Sequence, residues 1–334
     1  MTDLLTLQSV RRLKGGTNRV DLQRIIKRGF RYLTNQDFRV YRNALAGRPT
    51  NMPDEEYLRR VFRAKLGREL DLEHPQTFNE KLQWLKLHDR RPIYTTMVDK
   101  STAKEYAASV IGEEYIIPTL GVWDRFEDID FDSLPDQFVL KCTHDSGGLV
   151  ICKDKRKLDL RAAKEKINKS LNTDYYTLWR EWPYKDVKPR IIAEKYIEDK
   201  TGSLTDYKIY CFHGKANTVL TCFDRASGNT KFFFFDRNWE LKRYNKQGLN
   251  APEGFTIPKP EGMDTMFDLA EKLAEASGAP FIRVDFYSVL GKIYFGELTF
   301  YPAAGLDPNY LPEAERFLGS MIDISLVHGK EDEA

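Results

Sequence analysis

Residues 281–302, FIRVDFYSVLGKIYFGELTFYP, read as a hairpin whose apolar strands carry two acids and an arginine. Asp285 and Glu297 occupy positions where a buried strand ordinarily has valine or isoleucine, and Arg283 shares a strand face with Asp285. Side by side on adjacent strands, the two carboxylates would repel each other, and one would have to bind a proton. A divalent cation removes this conflict, and Mg²⁺ typically takes one or two carboxylates together with substrate phosphates.

Arg283 completes this group, because a guanidinium suits phosphate oxygens or a developing oxyanion. The alternative is a buried Arg283–Asp285 pair with a structural role only, which the additional acid at Glu297 disfavours. The hairpin therefore indicates a site for a metal ion and a phosphate group.

A lysine and two glycines form a second candidate group. Lys141 lies inside FVLKC, a run that otherwise predicts a buried strand, and a buried lysine needs an anionic partner. Gly147 and Gly148 follow in the turn HDSGG, where glycine lets the backbone present N–H groups to a phosphate. Together they could hold a polyphosphate, and a plain hairpin turn is the alternative.

Two other strands carry charge at suggestive places. Glu194 follows three apolar residues at the end of the strand RIIAEKYIED, where backbone groups and a carboxylate could contact a base or a ribose. Asp206 and Lys208 share one face of the strand DYKIYCF. The alternatives are a strand-end salt bridge for the first and a cross-strand ion pair on a solvent face for the second.

The elements that would position these residues follow from hydrophobic periodicity. Apolar residues at helical spacing predict helices over residues 1–70 and in TFNEKLQWLKLHDR, VDKSTAKEYAASVIG, RAAKEKINKSL, GMDTMFDLAEKLAEAS and NYLPEAERFLGSMIDIS. From residue 136, alternation predicts strands in DQFVLKC, LVICKD, RIIAEKYIED, DYKIYCFHGK, NTVLTCF and TKFFFFD. The pattern indicates an α+β fold with a helical N-terminal region and a C-terminal part of antiparallel hairpins.

Composition narrows the class of protein. A chain of 334 residues with 41% hydrophobic and 13% aromatic content predicts two or three folded units, and its net charge of +2 argues against a nucleic-acid partner.

Four dispersed cysteines are expected to be buried thiols in a reducing cytosol, at positions Cys142, Cys152, Cys211 and Cys222. No apolar run approaches the about 18 residues of a membrane span, and the N-terminus lacks the order of a signal peptide. The sequence therefore predicts a cytoplasmic protein.

The segment from residue 11 to residue 48 is markedly basic. It is either a solvated helical face or a patch for an anionic membrane surface or an anionic polymer.

Taken in order, these motifs resemble the ATP-grasp superfamily from about residue 98 to about residue 310: a strand lysine, a glycine turn, the linker EKYI, an acid opening the next strand, then RVD and GELTFYPAAG. The preceding flank, TFNEKLQWLKLHDRRPIYTTMVDK, is similar to the teichuronopeptide-biosynthesis (TupA-like) branch, which is associated with bacterial surface polysaccharides. The resemblance implies two α+β subdomains that sandwich ATP in residues 98–330, with a lid at about 136–196 and a C-terminal subdomain at about 197–325. Residues 1–97 would form the helical region.

The resemblance also implies a role for each matching residue. The residues expected to bind ATP are Lys100 and Lys141 at the phosphates, His144, Ser146, Gly147 and Gly148 in the loop above them, Glu194, Lys195, Tyr196 and Ile197 at adenine, and Asp206 at the ribose. The residues expected to hold Mg²⁺ are Asp285, Glu297 and Thr299. The residues expected to act in catalysis are Arg283, Lys208 and Lys141.

Three departures from the family pattern bear on this implied site. Thr299 stands where asparagine is usual, and a hydroxyl is a poorer metal ligand than an amide oxygen. Asp145 lies beside the expected triphosphate, which costs energy unless its side chain points away. The α/β domain that usually precedes the grasp fold is shortened, so the acceptor surface is expected to be rebuilt.

The implied reaction joins a carboxylate to an amine through an acyl phosphate. For this branch we expect a uronic acid, free or within a polysaccharide, to be joined to an amino acid or amine, with ATP and Mg²⁺ as cofactors. The expected partners are an anionic sugar substrate, other polysaccharide-assembly enzymes and a membrane surface contacted by the basic helices. The alternatives are an ATP-dependent sugar kinase and a nucleotide-binding scaffold.

Overall fold

The structure of the protein is a computed structural model that describes residues 19–48, 50–145, 147–198, 204–224 and 228–327, with side chains from residue 27 onward. Helices and antiparallel sheets both contribute, which confirms the predicted α+β class. The helices are α1 (Arg19–Thr34), α2 (Gln36–Leu45), α3 (Asp54–Leu66), α4 (Phe78–His88), α5 (Ile93–Val98), α6 (Thr102–Ile111), α7 (Leu160–Leu171), α8 (Tyr175–Trp179), α9 (Lys246–Leu249), α10 (Met263–Ser277) and α11 (Pro312–Ser320). The strands are β1 (Thr119–Trp123), β2 (Phe138–Cys142), β3 (Leu149–Cys152), β4 (Ile191–Lys195), β5 (Asp206–Phe212), β6 (Lys215–Phe223), β7 (Lys231–Asp236), β8 (Leu241–Lys242), β9 (Phe281–Val289) and β10 (Lys292–Thr299).

Helices alone form the described part of the N-terminal region, from residue 19 to the end of α5. Helix α3 ends at Gly67, whose positive φ of 75° is a conformation that glycine adopts without strain. Helix α4 begins with a capping box, in which the Thr77 side chain and the Glu80 side chain satisfy each other's backbone N–H groups. Both helices were predicted from the helical spacing of their apolar residues, and these end signals agree with that prediction.

A four-stranded sheet in the order β1-β4-β2-β3 packs one face against α7. Successive side chains of each strand point to opposite faces of this sheet. Phe138, Leu140 and Cys142 of β2 enter a core with Ile167 of α7. Lys141 therefore projects from the opposite face of β2, toward the rest of the molecule.

A six-stranded antiparallel sheet in the order β10-β9-β5-β6-β7-β8 forms the second layer and packs against α10. Its core reaches into the N-terminal region. The Phe78 ring of α4 lies 4.9 Å from the Phe281 ring and 5.6 Å from the Tyr310 ring. Helix α4 is thus fixed to the strand that carries Arg283 and Asp285.

All four cysteines are buried thiols outside any disulfide, which confirms the prediction of buried thiols. Within the described residues, no helix combines the length and the apolarity needed to cross a membrane. The first part of the basic segment, residues 11–18, lies outside the described residues.

Candidate active site

The β9–β10 hairpin forms the floor of the candidate site. Glu297 pairs with Asp285 across the two strands, and Lys208 of β5 pairs with Asp285 from the other side. A β-bulge between Phe295 and Glu297 produces this alignment, because one extra residue turns Glu297 toward the face that carries Asp285. That residue is Gly296, where a Cβ atom would lie 3.0 Å from the Asp285 carbonyl oxygen. The two acids therefore lie side by side, in the arrangement that the sequence suggested.

Arg283 connects the polar side chains of the floor. Its Nε donates to Asp285 Oδ1 at 2.6 Å, and its Nη2 donates to Asp285 Oδ2 at 2.8 Å. The same Nη2 donates to Glu297 Oε1 at 2.9 Å and to the Thr299 hydroxyl oxygen at 3.0 Å. Burial acts against the guanidinium charge, but the two carboxylates outweigh it and raise the pKa of Arg283. Arg283 is a permanent cation in contact with all three predicted metal ligands.

Lys208 provides a second cation on the floor. Its ammonium group contacts Asp285 Oδ2 and lies 4.0 Å from Asp206 Oδ2. The side chains of Asp206 and Lys208 are only 7% and 12% exposed, so they do not form an ion pair on a solvent face. The expected roles of Asp206 at the ribose, and of Lys208 in catalysis at the γ-phosphate or the acyl substrate, remain predictions.

The two acids of the floor differ in accessibility. The Asp285 side chain is 3% exposed, whereas the Glu297 side chain lies deep in the cleft but keeps 42% of its surface accessible. Burial acts to raise the pKa of Glu297, but surrounding cations outweigh it and lower the pKa to about 2. The cations are Arg283, Lys208, Lys100 and Lys141. Glu297 is therefore an ionised and reachable ligand, at the point where four positive charges meet.

Glu194 forms the opposite wall with two lysines. Its Oε2 lies 2.5 Å from Lys141 Nζ, and its Oε1 lies 2.8 Å from Lys104 Nζ. Burial acts to raise the pKa of Glu194, but Lys141 and Lys104 lower it to about 2. The carboxylate was predicted to face the amino group of adenine. In the structure it contacts Lys141 and Lys104, since a carboxylate that is nearly excluded from water requires cations beside it. Its contact with adenine remains a prediction.

Lys100 and Asp145 fix the base of the glycine turn. The backbone N–H of Lys100 donates to the Thr143 carbonyl at 3.1 Å, and its ammonium group contacts the Asp145 carbonyl oxygen. Burial lowers the pKa of Lys100, partly offset by Asp145 and Glu297. The Asp145 carboxylate accepts from the Gly148 N–H at 3.0 Å and from the Ser170 hydroxyl. It thus points into the base of the turn, so it does not oppose a phosphate above the turn.

The other loop residues predicted to contact phosphate differ in position. A Cβ atom at Gly148 would lie 2.2 Å from Ser170 Oγ, whereas one at Gly147 would have no neighbour closer than 3.7 Å. His144 is buried, and its Nε2–H donates to the Thr173 carbonyl at 3.1 Å. The His144 ring is thus engaged within the lid, and only its backbone remains for a phosphate. Ser146 lies outside the described residues.

The predicted adenine linker follows β4. The Lys195 N–H donates to the Pro118 carbonyl at 3.0 Å, so this backbone donor is already occupied. The Tyr196 hydroxyl donates to Glu198 Oε2 at 2.5 Å, and Ile197 is half-buried. The contacts of Lys195 and Ile197 with adenine remain predictions.

Directly after the hairpin, the chain forms a strained turn. Ala303, Ala304 and Gly305 have consecutive positive φ values of 49°, 57° and 62°. For the two alanines this conformation costs roughly 1–2 kcal/mol each. Gln83 of α4 stabilises the turn by donating to the carbonyl oxygens of Ala304 and Gly305, at 3.0 and 2.7 Å. Lys86, which is fully buried, donates to Ala304 at 2.8 Å.

Sequence reasoning missed three charged residues that surround the site. They are Lys86, Lys104 and Glu181. A signal existed for Lys86, because it lies four residues after Leu82 and therefore on the apolar face of α4. Glu181 lies in WREWPY, where a charge among aromatic residues was a weaker signal. No sequence signal connected Lys104 to Glu194, which is 90 residues away.

The donor chemistry of the floor fits Mg²⁺, because Asp285, Glu297 and Thr299 offer only hard oxygen atoms. Across the described residues, no group of three or more His, Cys, Asp or Glu side chains could hold a metal ion. The protein thus supplies two carboxylates and a hydroxyl, and the remaining ligands of an Mg²⁺ ion would be phosphate oxygens and water. The four cations around Glu297 equally fit a polyphosphate.

A search among curated proteins found no match. Among solved structures, D-alanine–D-alanine ligase from Bacillus anthracis complexed with ATP is 18% identical with a TM-score of 0.41, over 68% of this chain and 63% of that chain. The ligase of the same name from Helicobacter pylori is 12% identical with a TM-score of 0.40, over 74% and 69% of the two chains. The biotin carboxylase domain of Hydrogenobacter thermophilus 2-oxoglutarate carboxylase, in complex with MgADP, is 17% identical with a TM-score of 0.41, over 67% and 46%. The matched region thus spans less than two thirds of the B. anthracis ligase.

A family model gives the stronger result. The model described as TupA-like ATPgrasp matches residues 80–323, which make up most of the chain. The match includes both sheets, the glycine turn and every charged residue of the candidate site. The chain therefore belongs to the TupA-like ATP-grasp family.

Proposed function

We propose that this protein is an ATP-dependent carboxylate–amine ligase that works through an acyl phosphate. The observation that carries the proposal is the convergence of four cations on one accessible carboxylate, Glu297. The cations come from the turn between α5 and α6, from β2, from β5 and from β9. Such an arrangement suits a polyphosphate and a metal ion between two walls, and it offers no side chain as a nucleophile.

In the first step, an oxygen of the substrate carboxylate attacks the γ-phosphorus of ATP. A new P–O bond forms, the bond from the γ-phosphorus to the bridging oxygen of ADP breaks, and ADP leaves. Arg283 and Lys208 on the floor are placed to offset charge on the transferred group, and Lys141 on the lid is placed to hold the remaining phosphates. When bound to Asp285 and Glu297, Mg²⁺ would supply further charge neutralisation at the phosphate oxygens.

In the second step, an amine attacks the carbonyl carbon of the acyl phosphate. A C–N bond forms, the C–O bond to phosphate breaks, and the products are an amide and inorganic phosphate. The residues of this chain contribute by positioning the reactants and by excluding water, since an acyl phosphate hydrolyses readily. The turn at Gly147 and Gly148, anchored through Asp145, is suited to cover the phosphates.

For the substrates, we propose a uronic acid, free or within a polysaccharide, and an amino acid or other amine, joined during assembly of capsule or other bacterial cell-surface polysaccharide. The support is the family, together with the basic N-terminal helices. Helix α1 exposes Lys27, Arg28 and Arg31, and also the apolar Phe30 and Leu33, which are 68% and 74% exposed. A basic helix with exposed apolar residues suits an anionic membrane surface, so the reaction would occur at the inner face of the membrane, near other assembly enzymes.

The experiment is a screen for ADP release with MgATP, using D-glucuronate, D-galacturonate and polygalacturonate against the twenty amino acids. A ligase releases ADP when acid and amine are both present, and hydroxylamine converts its acyl phosphate to a hydroxamate that mass spectrometry detects. A stable phosphosugar without hydroxamate would identify a sugar kinase. Binding of ATP with neither product would identify a nucleotide-binding scaffold, which the hydroxyl of Thr299 in a ligand position would favour.

A further inference from the structure

Glu181 is a buried acid within electrostatic range of the candidate site, and neither step of the proposed reaction uses it. The residue is only 4% exposed. Within the described part of the chain, its carboxylate takes part in no hydrogen bond and no ion pair. Its two oxygen atoms are nevertheless not completely enclosed, because neither belongs to the fully buried side-chain atoms that lack a partner. A carboxylate removed from bulk water without a partner is costly to fold, and residues of this kind concentrate at functional sites.

The backbone directs Glu181 away from its neighbour. Arg180 has a positive φ of 53°, a strained conformation for a residue with a side chain. Its guanidinium extends to the N-terminal helices, where Nη2 donates to the Thr50 carbonyl at 2.9 Å and Nε lies 3.2 Å from Asp54 Oδ1. The guanidinium also lies 4.6 Å from the Tyr57 ring centre. Arg180 is thus anchored among the N-terminal helices, and Glu181 lies buried at the next position of the chain.

Three charged groups on other elements act electrostatically on Glu181: Lys86 of α4, Arg283 of β9 and Glu297 of β10. Tyr184 lies three residues further along the same segment, and its backbone N–H donates to the Glu181 carbonyl oxygen at 3.1 Å. The same two residues of the hairpin act electrostatically on Tyr184. Glu181 is therefore within electrostatic range of the metal and phosphate floor.

Lys86 does not neutralise Glu181 by direct contact. Its ammonium group is occupied by Gln83 Oε1 at 3.1 Å, the Trp179 carbonyl at 2.9 Å and the Ala304 carbonyl at 2.8 Å. Burial raises the pKa of Glu181 to about 7, with Lys86 and Arg283 opposing the increase and Glu297 adding to it. A base with such a pKa is matched to proton transfer near neutral pH.

We infer that Glu181 is the acceptor-site base, which binds the ammonium group of the incoming amine and removes one of its protons. This inference rests on the proposed ligase function. The amine must lose a proton before it can attack, because an ammonium nitrogen has no free electron pair. One proton of R–NH₃⁺ moves to the Glu181 carboxylate, and the resulting R–NH₂ attacks the acyl carbon. The second proton leaves with the phosphate, and Glu181 returns its proton to water when the products leave.

Comparing two nucleophiles tests this role directly. Hydroxylamine is largely uncharged at neutral pH, so it can attack the acyl phosphate without a base, whereas an amino acid arrives as an ammonium ion. We expect Glu181→Gln to form hydroxamate at close to the wild-type rate and to form the amide about 10²-fold more slowly. Glu181→Asp should recover part of the amide rate. Glu165→Gln, at an exposed position on α7, is the matched control and should change neither product.

The assay uses the full chain, MgATP, the acid among D-glucuronate, D-galacturonate and polygalacturonate that gives most hydroxamate, and an equimolar mixture of the twenty amino acids. Selective loss of amide supports the inference, and retained hydroxamate shows that Glu181→Gln folds and carries out phosphoryl transfer. Equal loss of both products, or an unchanged amide rate, overturns it. Wild-type protein that forms no hydroxamate with any of the three acids overturns the proposed uronate ligase itself, a result distinguishable from failure of the inference.

Discussion

Lys141 Nζ lies 2.5 Å from Glu194 Oε2, across the pairing of β2 with β4. The carboxylate also holds Lys104, so a single acid neutralises two cations in the wall of the cleft. Because Lys141 keeps 23% of its side chain exposed, it can contact an anion in the cleft without leaving Glu194. Glu194 therefore holds Lys141 in place. Without this ion pair, the lysine side chain would be free to turn away from the cleft.

This ion-pair group should make stability depend on acid pH. The pKa of Glu194 is lowered from 4.5 to about 2, so folding favours the ionised form. The resulting stabilisation, about 3 kcal/mol, is complete above about pH 5 and is lost as the pH falls toward 2. We expect Glu194→Gln to be less stable than wild type by about this amount at pH 7, with the difference shrinking at pH 4 and pH 3. Urea unfolding of both proteins measures it, and a difference that does not vary with pH would contradict the ion-pair account.

Removal of Lys141 should weaken nucleotide binding. We expect Lys141→Ala to reduce the binding free energy of ATP by about 1–3 kcal/mol, because one charge-assisted contact is lost. Isothermal titration with a non-hydrolysable ATP analogue measures the change. Lys166→Ala, at an exposed position of α7, is the control. Unchanged affinity in Lys141→Ala would remove this lysine from the phosphate site.

The two acids of the hairpin should be needed for turnover but should differ in their effect on stability. We expect Asp285→Asn and Glu297→Gln each to abolish Mg²⁺-dependent ADP release. Glu297→Gln should lose less stability than Asp285→Asn, because the side chain is 42% exposed and solvent screens its attraction to the four surrounding cations. Asp285→Asn should lose about 2–4 kcal/mol, because it leaves the buried Arg283 with a weaker partner. Steady-state assays and urea unfolding check both statements, and full activity in either variant would exclude its metal role.

The two glycines of the turn should respond differently to the same substitution. In Gly148→Ala the new methyl group would meet Ser170 Oγ at 2.2 Å, so we expect a loss of about 1–3 kcal/mol. In Gly147→Ala the methyl group would have no neighbour closer than 3.7 Å, so we expect stability within about 0.5 kcal/mol of wild type. Chemical unfolding of the two variants gives the comparison. Equal losses would show that the Ser170 contact does not set the position of the turn.

The exposed apolar residues of α1 should contribute to membrane binding. We expect Phe30→Ser with Leu33→Ser to reduce binding to vesicles that contain anionic phospholipid by about tenfold, because two apolar side chains no longer enter the interface. Co-sedimentation with anionic and with neutral vesicles measures the effect, and Leu326→Ser, another exposed apolar position, is the control. If wild-type protein bound neither kind of vesicle, the membrane role would be excluded and the basic helices would be only a solvated face.

The sequence allowed the floor of the site to be predicted because local rules apply there. Asp285 and Glu297 interrupt a strand pattern 12 positions apart, and their pairing required only a hairpin. Helices such as α4 were predictable for the same reason, since capping and periodicity act over a few residues.

The walls were harder to predict because their contacts join distant parts of the chain. Nothing local to Lys104 shows that it meets Glu194, and Glu181 acquires its setting from α4 and from both strands of the hairpin. The direction of Asp145 likewise depends on Ser170, which comes from a helix that follows the turn. Loop direction and long-range ion pairs depend on tertiary packing, which a single sequence does not specify.

The bulge at Gly296 has a consequence for insertions and deletions in this chain. Before it, Ile293 and Phe295 face the core, and after it Leu298 faces the core, so the buried positions change from odd to even numbers. Deleting this one glycine would turn Glu297 and Thr299 into the core and Leu298 into the cleft. Loss of this single codon would thus place the predicted metal ligands in the core and an apolar side chain in the site. The turn at residues 290–291 lies outside both the core layer and the ligand set, so a change in chain length is better tolerated there.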